Sequence, residues 1–488
     1  MNYIETSTGK WEVVIGLEVH AQIISATKLF SAASTKFGDA HNENVSFLDA
    51  ALPGTLPTIN SFCIDQAIKT GLGLNGNVNL TSSFDRKNYF YADLPHGYQI
   101  TQFYHPLISD GYVEIEADSG ETKKVRLDHI HIEQDAGKSI HDMSPVKSFI
   151  DLNRSGVGLM EIVTRPDMRS AAEAAMFLRK LRSILRYLKT CDGNMDEGSM
   201  RADVNVSVHR PDTEYGTRTE VKNVNSVKFL TVAINFEAER QIAILESGDN
   251  IKQETRLFDS STGKTKSMRS KENAQDYRYF PESDLPPLQL ELSRVAAIQK
   301  TIPELPDAKM QRLQRDYGLS HYDASLLASE KELADYYERA LCGFESDRGL
   351  AKILANWILG ELFALLNRHN KTIEQSEISP ERLRELASLI TTNMISGKIA
   401  KDTLEIMWET KKPPLQIVEE NDWRQIIDES IISKHVAAVL VTHSTKVAEY
   451  KSGKDKLFGF FVGQAMKAMN GKTHPQLLND ILQKLLDA

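Results

Sequence analysis

Four short segments in the N-terminal half carry acids and imidazoles at a spacing that can do chemistry. In Gly16-Leu17-Glu18-Val19-His20 the acid and the imidazole are two positions apart, so on a strand both leave the same face. In His129-Ile130-His131-Ile132-Glu133-Gln134-Asp135 the same period puts His129, His131 and Glu133 on one face. The third segment runs from Asp196 through Glu197, Arg201 and Asp203 to Asn205, and the fourth is Thr219-Glu220-Val221-Lys222-Asn223. Charge inside apolar, strand-like sequence is costly unless it is paired or bound to a metal. Each segment alone also fits a surface residue or a satisfied core group. Together, carboxylates and a few imidazoles on neighbouring strands describe an oxygen-rich cation site of the kind that suits Mg²⁺, which leaves coordination positions for water and substrate phosphate. No Cys/His spacing for zinc is present.

Cations lie between these acids. Phe84-Asp85-Arg86-Lys87-Asn88-Tyr89-Phe90-Tyr91 mixes them with aromatic rings, and Arg154, Arg201 and Lys222 add fixed positive charge. Arg forks can clamp a phosphoryl group, and rings beside cations can hold a base or an RNA end. An aromatic core strand with solvated neighbours fits the same residues. Ser261-Thr262-Gly263-Lys264-Thr265 imitates the end of a phosphate-binding loop, but Phe258 stands where that motif needs its first Gly. A P-loop is therefore excluded, and no Gly-x-Ser-x-Gly elbow supports a nucleophilic serine.

The elements that must position these groups can be read from periodicity. Trp11–Val14, Tyr112–Glu116, Lys124–Leu127 and Val204–Val208 alternate as half-buried strands do. Ser170–Thr190 and Ser226–Leu245 carry apolar residues at helical spacing. Strands with interspersed helices and no regular βαβ rhythm indicate an α+β fold with an antiparallel sheet. The Pro-rich stretch Phe280–Leu288 reads as the end of this region, and helix follows helix beyond it, with Ala351–Leu366 the most apolar and Lys411–Pro414 a second break. The chain of 488 residues is long enough for two to four domains. Its 41% hydrophobic and 26% charged composition excludes disordered, collagen-like and coiled-coil classes. A net charge of -9 argues against a wholly cationic nucleic-acid binder, yet residues 431–488 hold eight Lys against four acids, densest at Lys451, Lys454 and Lys456. The three scattered cysteines make no disulfide framework and fit a reducing cytosol. With no apparent signal peptide and no apolar run approaching membrane-spanning length, the expected location is cytoplasmic, away from membranes.

Longer motifs carry a resemblance. GLEVHAQI (16–23), LDAALPGTLP (48–57), FDRKNYFYADLPHGYQITQ (84–102), HIEQDAGKS (131–139) and DLNRSGVGLMEIVTRPD (151–167) resemble the B subunits of the tRNA-dependent amidotransferases. DEGSMRADVNVSV (196–208), GTRTEVKNVNS (216–226), QETRLFDSSTGKT (253–265), DYRYFPESDLPPL (276–288), Glu449–Lys454 and GQAMKAMNGKTHP (463–475) continue the likeness in the family's order.

The resemblance implies a cradle-shaped catalytic domain over 1–294, similar in fold to glutamine synthetase, then a helical domain over 295–405 and a tRNA-binding helical tail over 406–488. It implies an ATP- and Mg²⁺-dependent carbon–nitrogen ligase working in a heterotrimer. An amidase A subunit would release ammonia from glutamine, a small C subunit would tie A to B, and a channel would deliver the ammonia. The substrate would be mischarged Glu-tRNA(Gln) or Asp-tRNA(Asn), activated by phosphorylation of its side-chain carboxylate. By this likeness Glu18, His20, Glu133, Asp203, Glu220 and Glu197 are the expected metal ligands. Glu18, Glu133, Lys87 and Arg201 are the expected catalytic residues, Arg154 and Lys222 the nucleotide contacts, and Lys451, Lys454 and Lys456 the tRNA contacts. The family often reads Glu-Glu-Asp where this chain has Glu133-Gln134-Asp135, so the ligand is assigned to Glu133. The alternative is a non-catalytic tRNA-binding scaffold, motivated by the basic tail.

Overall fold

The computed structural model describes residues 3–117, 120–270, 276–426, 428–469, 472–473 and 475–487, which form two compact units, Met1–Pro306 and Asp307–Ala488. The first unit is built on an 11-stranded sheet. Its main strands are β1 (Gly9–Gln22), β2 (Thr122–Gln134), β3 (Gly158–Thr164), β4 (Met200–His209), β5 (Thr219–Val224), β6 (Glu254–Asp259) and β7 (Lys264–Ser270). They lie side by side in the order β7-β6-β5-β4-β1-β3-β2. All neighbours are antiparallel except β5 and β6, which run parallel. β1 is the central strand, and its two neighbours come from distant stretches of chain.

Alternation decides which face is the core. Leu17, Val19 and Ala21 of β1 and Ala202, Val204 and Val206 of β4 are buried, while Glu18, His20, Arg201, Asp203 and Asn205 between them face the other way. Under the apolar face lie α1 (Ser61–Gly73), α2 (Ala171–Leu188) and α3 (Val227–Glu246), whose Ala67, Phe177, Leu181, Leu185, Leu230 and Ile234 join one hydrophobic cluster with the strands. Ser170 and Ser226 start the two longer helices by accepting hydrogen bonds from the Glu173 and Phe229 amides. The same residues open the helical patterns in the sequence.

The Pro-rich stretch lies within the first unit. Phe280–Pro281 pairs with Asp85–Arg86 and Leu288–Gln289 with Thr81–Ser82. Proline is tolerated there because these are two-residue edge pairings. The helix Leu292–Gln299 that follows is tied to α1 by Arg294 and Asp65. One expectation, that no apolar run approaches membrane-spanning length, needs correcting. The helical stretch Arg348–Arg368 is long and apolar enough to cross one by length and composition. However, its Leu350, Leu354, Ile358, Leu362, Leu365 and Leu366 are buried in the core of the second unit. That unit holds two hydrophobic clusters, one from Leu313 to Val418 and one from Ile432 to Leu486. The helix Gly397–Thr410 runs through position 405. The Ser261–Gly263 segment is the turn of the β6–β7 hairpin, and a strand rather than a helix follows it.

Candidate active site

Strand register brings the chemistry together. Glu161 of β3 stands opposite His20 on one side and His131 on the other, and His20 stands opposite Arg201. These four residues form a row across four strands on the polar face. One step along, Glu18 faces both Val163 and Asp203. One step further, Asn205 faces Glu220. The β4–β5 register breaks between Ala202 and Val204, and Asn223 takes the left-handed backbone at φ 68°. This bulge re-aims the neighbouring side chain, and Lys222 reaches back to Asp203.

The row holds a compact donor set. His20 Nε2 lies 3.2 Å from Glu161 Oε2 and 3.7 Å from Glu133 Oε1. One ligand atom each from His20, Glu133 and Glu161 falls within 4.8 Å of the others. His131 Nε2 lies 3.4 Å from Glu161 and 3.5 Å from Glu133, and its Nδ1 is 3.1 Å from His129 Nε2. Thr101 donates its hydroxyl to Glu133. Burial disfavours charge on either imidazole, but Glu161 and Glu133 outweigh it, so the pKa of His20 is pushed up to about 9 and that of His131 to about 10. Burial would raise Glu161, yet the two histidines hold it well below the usual carboxylate range. Two carboxylates and an imidazole at this spacing, with protons now filling the place of positive charge, fit a hard divalent cation.

A second acidic group on the same face carries its own cation. Lys222 Nζ sits 2.5 Å from Asp203 and 2.7 Å from Glu220, whose other oxygen accepts from Thr255. Glu18 lies beside this group and accepts from Asn205 Nδ2 at 2.8 Å. Burial and then the Glu161 and Glu220 carboxylates raise its pKa.

A third group supplies cations to a cleft of about 460 Å³ lined by His20, Lys87, Glu133, Arg154, Arg201 and Lys222. Buried Asp135 takes hydrogen bonds from Arg201 and Gln22 and stands 3.6 Å from Arg154. Arg154 is also fixed by the carbonyls of Ala136 and Gly137. Burial opposes the charge on Lys87, but Glu133 and Glu161 hold its pKa above the ordinary lysine value.

Of the sequence-expected residues, the structure joins His20 and Glu133 in one set and Glu18, Asp203, Glu220 and Lys222 in the adjoining one. Lys87, Arg154 and Arg201 line the same cleft. It does not bring Glu197 there: that side chain is exposed in the turn before β4, where its amide bonds Asn194. Lys451, Lys454 and Lys456 are exposed in the second unit, and Lys454 is paired with Glu449 at 3.1 Å. Sequence reasoning passed over Glu161 and Asp135. The signal for Glu161 was available, an acid between Met160 and Ile162 in an apolar run.

Comparison with known proteins fits this geometry. Residues 13–296 match the family model described as "GatB/GatE catalytic domain", and residues 335–486 match one described as "GatB domain". The chain is 57% identical over 485 residues to the B subunit of the aspartyl/glutamyl-tRNA(Asn/Gln) amidotransferase of Acidiphilium cryptum, covering 99% of each. Relatives of the same name in Gluconobacter oxydans and Rickettsia typhi are 56% and 52% identical, each over 488 residues and 100% of both chains.

Proposed function

This chain belongs to the family of aspartyl/glutamyl-tRNA(Asn/Gln) amidotransferase B subunits, and from that premise we propose that its sheet cleft activates the side-chain carboxylate of an amino acid carried by the wrong tRNA. The substrate is mischarged Glu-tRNA(Gln), Asp-tRNA(Asn) or both. A carboxylate is a poor acyl donor at neutral pH because it has no leaving group. One of its oxygens attacks the γ-phosphorus of ATP, ADP departs, and the acyl phosphate that forms carries phosphate as its leaving group. Ammonia then adds to the carbonyl carbon, phosphate leaves, and the nitrogen loses a proton to give the amide.

The residues divide this work. His20, Glu133 and Glu161 would hold a Mg²⁺ ion, with Glu18 near enough to feel the Glu161 charge. Such an ion neutralises the ATP phosphates and braces the transferred phosphoryl group. Arg201 and Arg154, held by Asp135, keep N–H groups for phosphate or for the substrate carboxylate. Lys87 brings a further fixed cation to the same wall. Lys222 holds Asp203 and Glu220 together and so shapes the far side of the cleft.

Ammonia comes from an amidase A subunit, joined to this chain by a small C subunit, through a channel that keeps water from the acyl phosphate. Residues 1–294 act as the catalytic cradle, 295–405 as a helical domain and 406–488 as the tail that holds tRNA. Lys451, Lys454 and Lys456 of that tail meet tRNA phosphates.

The observation that carries this reading is the His131–Glu161–His20–Arg201 row, which sets a cation-ready donor set against guanidinium groups in one open cleft. The test is ATP-dependent amidation of Glu-tRNA(Gln) by the reconstituted complex. Glu18→Ala combined with Glu133→Ala should abolish it, and a wild-type rate in that variant would overturn the assignment.

A further inference from the structure

One feature beside the cleft has no part in that chemistry. Six rings follow one another edge to face or, in one pair, stacked: Tyr91, Tyr89, Tyr277, Tyr279, Phe103 and Tyr104. Their centroids are 5.9, 6.1, 6.1, 4.0 and 5.0 Å apart in that order, and Phe103 and Tyr279 lie parallel within 13°. The chain of rings touches the cleft at Tyr89, which lines the wall, and Lys87 Nζ stands 5.0 Å from the Tyr277 ring and 5.9 Å from Tyr89. Both of its ends reach solvent, with Tyr91, Phe103 and Tyr104 each more than half exposed.

The strip is pre-organised. Tyr277 and Tyr279 flank Arg278, whose φ of 44° lies in the left-handed region that disfavours a non-glycine residue. Asn88 holds that backbone by donating its amide to Tyr277 O at 2.9 Å and its side-chain nitrogen to Arg278 O at 2.8 Å. Backbone strain maintained by specific hydrogen bonds is characteristic of binding sites.

The composition of the strip selects an occupant. Every exposed large apolar side chain in segments 84–104 and 276–281 is aromatic: Phe90, Tyr91, Phe103, Tyr104 and Phe280. An apolar protein contact normally includes aliphatic residues, whereas rings interleaved with cations suit the flat faces of unpaired bases. Resting on the proposed activation of an RNA-borne carboxylate, a second requirement appears. The amino acid is esterified to the 3′-terminal ribose of the tRNA, so the unpaired 3′ nucleotides must lie beside the cleft while the side chain enters it.

We propose that the ring strip from Tyr91 through Tyr89 to Phe103 and Tyr104 is the stacking platform for the unpaired 3′-terminal bases of the aminoacyl-tRNA. The rings hold the single strand, and Lys87 marks where the ester-linked side chain turns inward. Stacking is tolerant of base identity, so the strip would bind either tRNA alike.

The test uses the assembled complex and measures binding apart from chemistry. Uncharged tRNA(Gln) is titrated intact and after removal of its unpaired 3′ nucleotides. The wild type should prefer the intact RNA by about tenfold or more, equivalent to ~1.4 kcal/mol, which is within the range for one stacked base. Phe103→Leu and Tyr91→Ala should each erase most of that preference and leave the affinity for trimmed RNA unchanged. Phe103→Tyr should keep it, because it keeps the ring. In turnover, KM for Glu-tRNA should rise while KM for ATP stays the same.

An unchanged preference in Phe103→Leu and Tyr91→Ala overturns the proposal. So does a rise confined to KM for ATP, which would assign the rings to the nucleotide's adenine. Loss of heterotrimer assembly in these variants also overturns it, by assigning the strip to a protein partner. A wild-type complex that prefers intact RNA but does not consume ATP would refute the catalytic reading and leave the platform standing.

Discussion

Two acidic groups share one face of the sheet, and they differ in what neutralises them. Asp203 and Glu220 are bridged by the ammonium of Lys222, a fixed part of the chain. Glu133 and Glu161 are bridged by His20 and His131, whose positive charge is a pair of protons that can leave. The first group is complete as folded. In the proposed function the second exchanges protons for a cation, because an imidazole must be neutral to be a ligand. Neighbouring acids on one sheet therefore divide into a set closed by a fixed lysine and a set neutralised by exchangeable protons, according to which basic side chain the register places beside them.

The strongest way to break that contrast is to remove one carboxylate charge from the exchangeable set. Glu161→Gln should lower ATP-dependent amidation by about 10²–10³-fold, the usual cost of losing one preorganised electrostatic group. Heterotrimer assembly and tRNA affinity should be unchanged. Activity within threefold of wild type would mean that Glu161 takes no part. A smaller effect is expected from the arginine anchor. Asp135→Asn removes the charge that holds Arg201 and Arg154 and should raise KM for ATP about tenfold, because a hydrogen bond between charged groups contributes ~1.5–3 kcal/mol. An unchanged KM would show that the arginines are positioned without it.

Acid–base behaviour sharpens the comparison. Unfolded histidine titrates near pH 6.5, and the folded pKa values are raised to about 9 for His20 and about 10 for His131. Their stabilising contribution is therefore complete below about pH 6.5 and lost as pH rises through 9 and 10. In chelator, the melting temperature should fall over that window, and His20→Gln with His131→Gln should flatten the fall. Calorimetric titration of Mg²⁺ in buffers of different ionisation enthalpy should show proton release, and its absence would separate these histidines from the ion. The smallest effects belong outside the cleft. Glu197→Ala should leave kcat and KM unchanged, since that side chain is in solvent. Lys451→Ala should weaken tRNA binding a few-fold and reduce the salt slope by about one. A large loss of activity in the first, or no change in salt dependence in the second, would contradict these placements.

Much of this was legible because strand periodicity is local. Alternation alone put Glu18 with His20 and His131 with Glu133 on shared faces, and Ser170 and Ser226 marked the helix starts. Strand order is not local. Nothing near Glu161 states that its strand lies between those of His20 and His131, and this adjacency gives the residue two imidazole neighbours. Lys222 and Asp203 meet through a bulge, which period-two reasoning cannot anticipate. Glu197 misled in the opposite way. It is near Asp203 in sequence, but Gly198, with φ 80°, helps turn the chain before β4 begins and leaves the acid outside. The Pro-rich stretch looked like a boundary because proline breaks ladders, yet short edge pairings accommodate it.

The most direct measurement is a crystal structure of the complex soaked with Mn²⁺ and a non-hydrolysable ATP analogue, with the ion located by its anomalous signal. A peak is expected within about 2.0–2.3 Å of carboxylate oxygens of Glu133 and Glu161 and of the His20 imidazole, with nucleotide phosphate completing the shell. A peak between Asp203 and Glu220 with Lys222 displaced, or bound nucleotide with no ion at the Glu133–Glu161 pair, would contradict it.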